Sequence, residues 1–263
     1  MAVSKVILNS TTLMDATTAT AAAADITAPK TAMLADGVMT TGTGSGGGTP
    51  DFVNYITGIS VEGITTLPAS LDIYVPNLSS LKSAFFNIGS NTCTEIKIKS
   101  DVPIKNMEQA FNTRSIRQDC VIKIDADLSQ CTTFTRAFSA RVSGDNFPNT
   151  IVANIDFTSV ASNQTYVFGI NVVNVTCVPN TLGYNLNIGD ASKLSTASII
   201  SIANCLKAVS GKTITFNATP KAALSTIMGT VTNNGTYDLF TEDAGGNTSL
   251  MNFITTTKGW TVA

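Results

Sequence analysis

Histidine is absent from all 263 residues. That excludes the Ser-His-Asp and Cys-His nucleophilic sets, the H-E-x-x-H zinc motif and the histidine general base. Charge is scarce as well: Asp, Glu, Lys and Arg make up 13% of the chain and the formal net charge is −2. No run of basic residues supplies the electrostatic footprint that a phosphate backbone needs, so no nucleic-acid partner is expected. No stretch approaches the ~20 apolar residues that span a bilayer, so membrane insertion is not expected either. The five cysteines (Cys93, Cys120, Cys131, Cys177, Cys205) are odd in number, lie far apart and form no C-x-x-C pair. They read as small buried hydrophobes ahead of a disulfide framework or a metal site. The opening "MAVSKVILNS" has one lysine and turns polar within ten residues, unlike a secretory signal. A chain made and assembled in the cytoplasm is the expectation.

Motifs that would imply a cofactor also fail. "GTGSGGG" formally holds G-x-G-x-x-G at Gly42, Gly44 and Gly47, but Thr and Ser flank it and Pro50 follows closely. A dinucleotide site needs a buried strand before the glycines, a helix after them and a later acidic residue. Asp125 and Asp127 lack the glycine and closing glutamate of a calcium loop. Glu242-Asp243 has no second carboxylate pair to work against. No cofactor, no metal and no enzymatic activity are expected.

What is present is a ladder. "LKSAFFN", "MEQAFNT", "FTRAFSA" and "TYVFGIN" align on Phe85, Phe111, Phe138 and Phe168, with spacings of 26, 27 and 30 residues, in the leucine-rich-repeat range. Between the rings lie short alternating segments at 71–77, 94–100, 120–126, 153–159 and 172–178. In "EIKIK", Ile96 and Ile98 point one way and Lys97 and Lys99 the other; Ile122, Ile124 and Lys123 repeat the pattern. Each unit is then one strand plus about a turn of helix carrying the ring. Neither half can bury its apolar face alone, and stacking the units buries both. The outward row Lys97, Lys99 and Lys123 forms a candidate binding face.

Further along, Ser195 caps a helix with Ile199, Ile202, Ala203 and Leu206 on one face and Gly211 at its end. "KTITFNA" alternates as a strand, Thr219-Pro220 opens a helix through "KAALSTIM", and "NTSLMNFITTTKGW" supplies a third stopped at Gly259. Residues 229–249 read as a Gly/Asn-rich hairpin or loop projecting from this cap, with Asn234-Gly235 as its turn signal and Tyr237, Leu239 and Phe240 available to a neighbour.

Two resemblances follow from these residues. The ladder resembles the BspA-like group of bacterial leucine-rich repeats, which implies a right-handed solenoid used for adhesion and recognition. The start "VILNSTTLMDATTAT" with "TAMLADGVMTTGT" resembles an N-terminal module of bacteriophage and prophage tail-associated proteins. It matches at Val6, Ile7, Leu8, Asn9, Thr12, Leu13, Asp15 and Thr17, then at Thr31, Ala32, Gly37, Thr41, Gly42 and Thr43. Ser10 and Ala16 depart from it. "LSTASIISIANCL", "KTITF" and "TTKGWTVA" resemble the end of the same proteins.

The expected fold is mainly β with short helices: a leucine-rich-repeat-like solenoid after a small β-rich module. Its divisions are an attachment module at 1–43, a Gly/Ser linker at 44–50, the solenoid at 51–190 and a capping region at 191–263. The resemblance implies a non-enzymatic virion protein, a tail fibre or baseplate component that recognises a host glycan or protein and self-associates. A head fibre or capsid decoration protein is the alternative, and a bacterial surface adhesin the alternative of another class.

Overall fold

The computed structural model describes residues 69–74, 78–86, 92–113, 116–139 and 148–263, and the backbone of short strands at 5–8, 11–15, 31–33 and 39–41. Two compact units divide the chain, Met1–Asp51 and Phe52–Ala263. In the first, β1 (Lys5–Leu8) pairs antiparallel with β2 (Thr11–Asp15), Val6 facing Met14. A second pair, β3 (Thr31–Met33) and β4 (Met39–Thr41), sets Thr31 opposite Thr41. Of the expected attachment residues, Val6, Leu8, Leu13, Asp15, Thr31 and Thr41 fall in these strands. Asn9, Gly37, Gly42 and the linker lie outside the described residues.

The second unit is a β-solenoid of about five turns. One wall is a parallel sheet of β5 (Ser70–Tyr74), β6 (Glu95–Lys99), β7 (Val121–Asp125), β8 (Thr150–Ile155) and β10 (Asn174–Cys177), in that spatial order. Period-2 alternation sets their faces: Ile96 lies beside Ile122 and Ile98 beside Ile124, all four buried. The fourth strand starts three residues earlier than its pattern indicates. Its end is set by Asp156, whose carboxylate accepts from Thr158 N at 2.8 Å and turns the chain, sending Phe157 inward against Phe134.

The opposite wall carries the rings. Phe85, Phe111, Phe138 and Phe168 are fully buried and stack face to face at centroid distances of 4.8, 5.7 and 6.2 Å. Each contributes about 1.5–3 kcal/mol from apolar area alone. They do not sit on helical turns, as their spacing suggests, but on reverse turns. Ala84 N donates to Leu81 O, Ala110 N to Met107 O and Ala137 N to Phe134 O, at 2.9–3.0 Å. The third residue of each, Ser83, Gln109 and Arg136, is left-handed with φ near 55°, and Tyr166 continues the column at 54°. Such a conformation costs a non-glycine residue about 1–2 kcal/mol. Hydrogen bonds to the next turn offset that cost: Ser83 N donates to Glu108 O, Gln109 N to Thr135 O and Arg136 N to Thr165 O, at 2.9–3.0 Å. A helical turn would spend those donors within itself and leave the stack unjoined.

Later turns extend this wall as a second parallel sheet. It runs β9 (Gln164–Thr165), β11 (Leu186–Ile188), β12 (Thr213–Phe216) and β16 (Thr261–Val262). Gln164 is fully buried where the wall changes character. Its Oε1 accepts from Phe134 N at 2.6 Å, and its Nε2 donates to the carbonyls of Ser162 and Asn163.

On the first wall a helix follows β10. Helix α1 (Thr196–Cys205) is capped by Ser195, whose Oγ accepts from Ser198 N, and buries Ile199, Ile202 and Ala203. It stops at Leu206 rather than at Gly211, because the Leu206 backbone is extended and pairs with Leu182. Polar side chains recur at every third position and reach neighbouring backbone. Ser198 Oγ accepts from Val175 N at 3.0 Å and donates to Val173 O at 2.8 Å; Ser201 Oγ accepts from Cys177 N at 2.9 Å. On another side Asn204 accepts from Phe240 N at 2.8 Å and donates to Phe240 O at 3.0 Å. The helix thus satisfies strand groups that a further strand would otherwise satisfy.

The second helix, α2 (Ala218–Ala223), is shorter than "KAALSTIM" suggests, since Met228 already belongs to a strand. Strands β13 (Met228–Asn233), β14 (Asp238–Glu242) and β15 (Thr248–Ser249) form a small antiparallel sheet. Strands β13 and β14 are the hairpin that Asn234-Gly235 signals, with Asn233 paired to Asp238, but Phe240 does not project. It is 2% exposed and packs on Phe253 at 5.6 Å, within the same core. Gly229 makes that possible, for a Cβ there would run into the Phe240 ring and the Thr241 carbonyl. Tyr237 is half-buried beside the turn. Helix α3 (Leu250–Asn252) passes into a π-helical turn, Phe253–Thr257, and Gly259 reverses the chain at φ +76°. Trp260 Nε1 then donates to Lys207 O at 2.8 Å, and buried Lys258 donates to Asp238 O at 2.8 Å above the Phe253 ring. Burial holds the Lys258 ammonium below the ordinary lysine pKa.

All five cysteines are free and buried, as their spacing implies. Burial pushes the thiols of Cys120 and Cys131 up to about 12, from an ordinary 9.0. Between those values the unfolded chain has lost protons that the native state keeps. This stabilisation is therefore complete below about pH 9 and is lost as pH rises toward about 12. Lys258 acts in the opposite sense up to its ordinary 10.5. Cys131→Ala is expected to flatten the fall in unfolding free energy between about pH 9 and 12, measured by urea titration. An unchanged slope would show that the native thiol ionises like an exposed one.

Candidate functional site

Outward positions of the first wall form its solvent face, and the register fixes which residues stand side by side. One row runs Asp72, Lys97, Lys123 and Val152; the next runs Tyr74, Lys99 and Asp125; a third runs Ser70, Glu95, Val121, Thr150 and Asn174. The three lysines singled out by alternation therefore share one face. None of them is an unpaired cation. Lys97 lies 3.3 Å from Asp72, Lys99 lies 3.8 Å from Asp125, and Lys123 pairs with Glu95. Every pair joins strands of different turns. Exposed pairs of this kind contribute roughly 0–1 kcal/mol each, so their effect on the face is chiefly to cancel its charge.

At one corner Tyr74 is 56% exposed. Its hydroxyl donates to the Asp101 carboxylate, a bond that holds the phenol above its ordinary 10.0, and Lys99 sits 5.7 Å from its ring.

The sheet is interrupted at one place. Strands β7 and β8 pair through Val121, Ile122 and Lys123 but not beyond the Lys123–Val152 pair. On the other side of β8 the register with β10 shifts between Asn174 and Thr176, so that Thr150–Asn154 spans what β10 covers with Asn174–Thr176. Such a bulge re-aims side chains. Val152 stands at its crest, 51% exposed, between two depressions. The one over β5–β7, about 460 Å³, is lined by the ion-paired residues. The other, about 520 Å³, is lined by Thr150, Asn154, Asn174 and Thr176 and by the start of α1 at Ser195 and Ala197. Ile124 and Val152 border both.

Alternation found the lysines but not the bulge, because a bulge leaves no mark in a hydrophobicity pattern. The pairing carboxylates did leave one: Asp72, Glu95 and Asp125 have the same parity as the lysines in their strands. Among the described residues no group of three or more Cys, Asp or Glu side chains could hold a metal ion, and no helix is long and apolar enough to cross a membrane.

No protein-family model, no curated protein and no solved structure matches the chain.

Proposed function

We propose that the chain is a non-enzymatic bacteriophage virion protein, a tail fibre or baseplate component. Met1–Asp51 attaches to other virion proteins, and the solenoid presents its five-stranded face to the host surface. The observation that carries this reading is the division of labour along the chain. A small unit of antiparallel strand pairs precedes a solenoid whose five-stranded face pairs its three lysines with three carboxylates on neighbouring turns. Extended strand faces of stacked-repeat proteins commonly serve recognition. The resemblance of the N-terminus to phage tail-associated modules, at Val6, Leu8, Leu13, Asp15, Thr31 and Thr41 among others, supports giving the attachment role to the first unit. The solenoid is assigned to the leucine-rich-repeat type with the BspA-like body that its Phe ladder resembles, and self-association into a homo-oligomer belongs to the same reading.

Deleting residues 1–48 tests it. The truncated chain is expected to fold and to be missing from purified particles, judged by immunoblot against the full-length protein. Incorporation at the full-length level would remove the attachment role.

A further inference from the structure

We propose that the trough across Val152 binds a neutral oligosaccharide, laid across the strands from the ion-paired half of the face to the hydroxyl- and amide-lined half. This deepens the recognition reading above and rests on it.

Charge argues against an anionic ligand. In the first depression each ammonium already has a carboxylate on a neighbouring turn, so an incoming anion would displace a carboxylate to gain contact. The second depression has no ionisable side chain in its lining. Its serines are bonded to backbone and to each other, and Thr150 is bonded to Asn149 and Asn174; the lining still presents the Asn154 amide and the Thr176 hydroxyl, each able both to donate and to accept. Sugar hydroxyls have the same dual character. The ion pairs suit them too, since an ammonium beside a carboxylate offers a donor next to an acceptor at the spacing of adjacent turns.

Shape argues for an extended occupant. The two depressions have volumes of about 460 and 520 Å³, within the range of ligand sites, and meet at Val152 and Ile124. The five strands, spaced about 4.8 Å apart, give a floor roughly 19 Å long, enough for several sugar rings. Val152, half exposed where the two depressions meet, is placed to meet the C–H face of a ring. The floor is mixed, with Ile98, Ile124 and Ala197 in the lining beside the polar groups, so apolar C–H surface and hydrogen-bonding groups alternate along it as they do on a sugar ring.

The test is a glycan array carrying neutral and acidic oligosaccharides, probed with the full-length chain, Val152→Ala and Val152→Arg. Val152 is a surface residue, so both variants should keep the parent's thermal unfolding midpoint, which is measured alongside. Neutral glycans are expected to bind the parent and Val152→Ala, whereas Val152→Arg, with its long cationic side chain across both depressions, should lose on the order of tenfold or more in affinity. A silent array, a preference for acidic glycans, or full binding by Val152→Arg would each overturn the proposal. Particle incorporation is read separately: a chain found on particles with a silent array loses the glycan site alone, and a chain absent from particles that binds neutral glycans loses the virion role alone.

Discussion

Phe111→Ala is expected to cost about 3–5 kcal/mol of unfolding free energy, the usual penalty for emptying a buried phenylalanine site. The ring is fully buried between Phe85 at 4.8 Å and Phe138 at 5.7 Å, so its removal leaves two aromatic faces without a partner. Collapse cannot close the gap cheaply. The backbone on both sides is tied to adjacent turns, with Phe85 N donating to Ala110 O and Phe111 N to Ala137 O at 2.7 and 2.8 Å. Urea titration monitored by circular dichroism measures the loss, and a change below about 1 kcal/mol would mean that the stack is not a core.

Gln164→Ala is expected to cost about 2–4 kcal/mol, through unmade hydrogen bonds as well as lost volume. Elsewhere on this wall the acceptor for the neighbouring turn is a backbone carbonyl, as Thr133 O is for Met107 N. At Phe134 the acceptor is the Gln164 amide oxygen, and the amide nitrogen serves two more backbone carbonyls. Gln164→Leu separates the contributions, since it keeps most of the volume and none of the bonds. If the leucine variant matched the parent in stability, the amide would be only a filler.

Much of the solenoid was legible because its physics is local and repeated. The alternation of Ile and Lys fixes the inward face of β6 and β7 without reference to anything distant, and the Phe spacing records the length of a turn. Helix α1 announced itself through Ser195 and its apolar stripe. What stayed hidden depends on contacts between turns. Ser83, Gln109, Arg136 and Tyr166 share a left-handed backbone although none belongs to the types that favour it, because hydrogen bonds to the next turn select the conformation. Phe240 looked available to a partner because its own partner, Phe253, comes later in the chain and across a π-helical turn that composition does not reveal. Alternation placed the three lysines on one outward face, but it does not show their ion pairing. The carboxylates stand one turn away, and only the register between copies brings them close.

Helix α1 has a consequence for crowding. A protein held in many copies on one particle would present neighbouring sheets to each other at very high local concentration. Open sheet edges under those conditions recruit strands from other chains and polymerise. Because Ser198 and Ser201 occupy the amides of β10, that end of the five-stranded wall offers these donors to no incoming strand. At that edge a neighbouring strand finds no open donor at Val175 or Cys177 through which to extend the sheet.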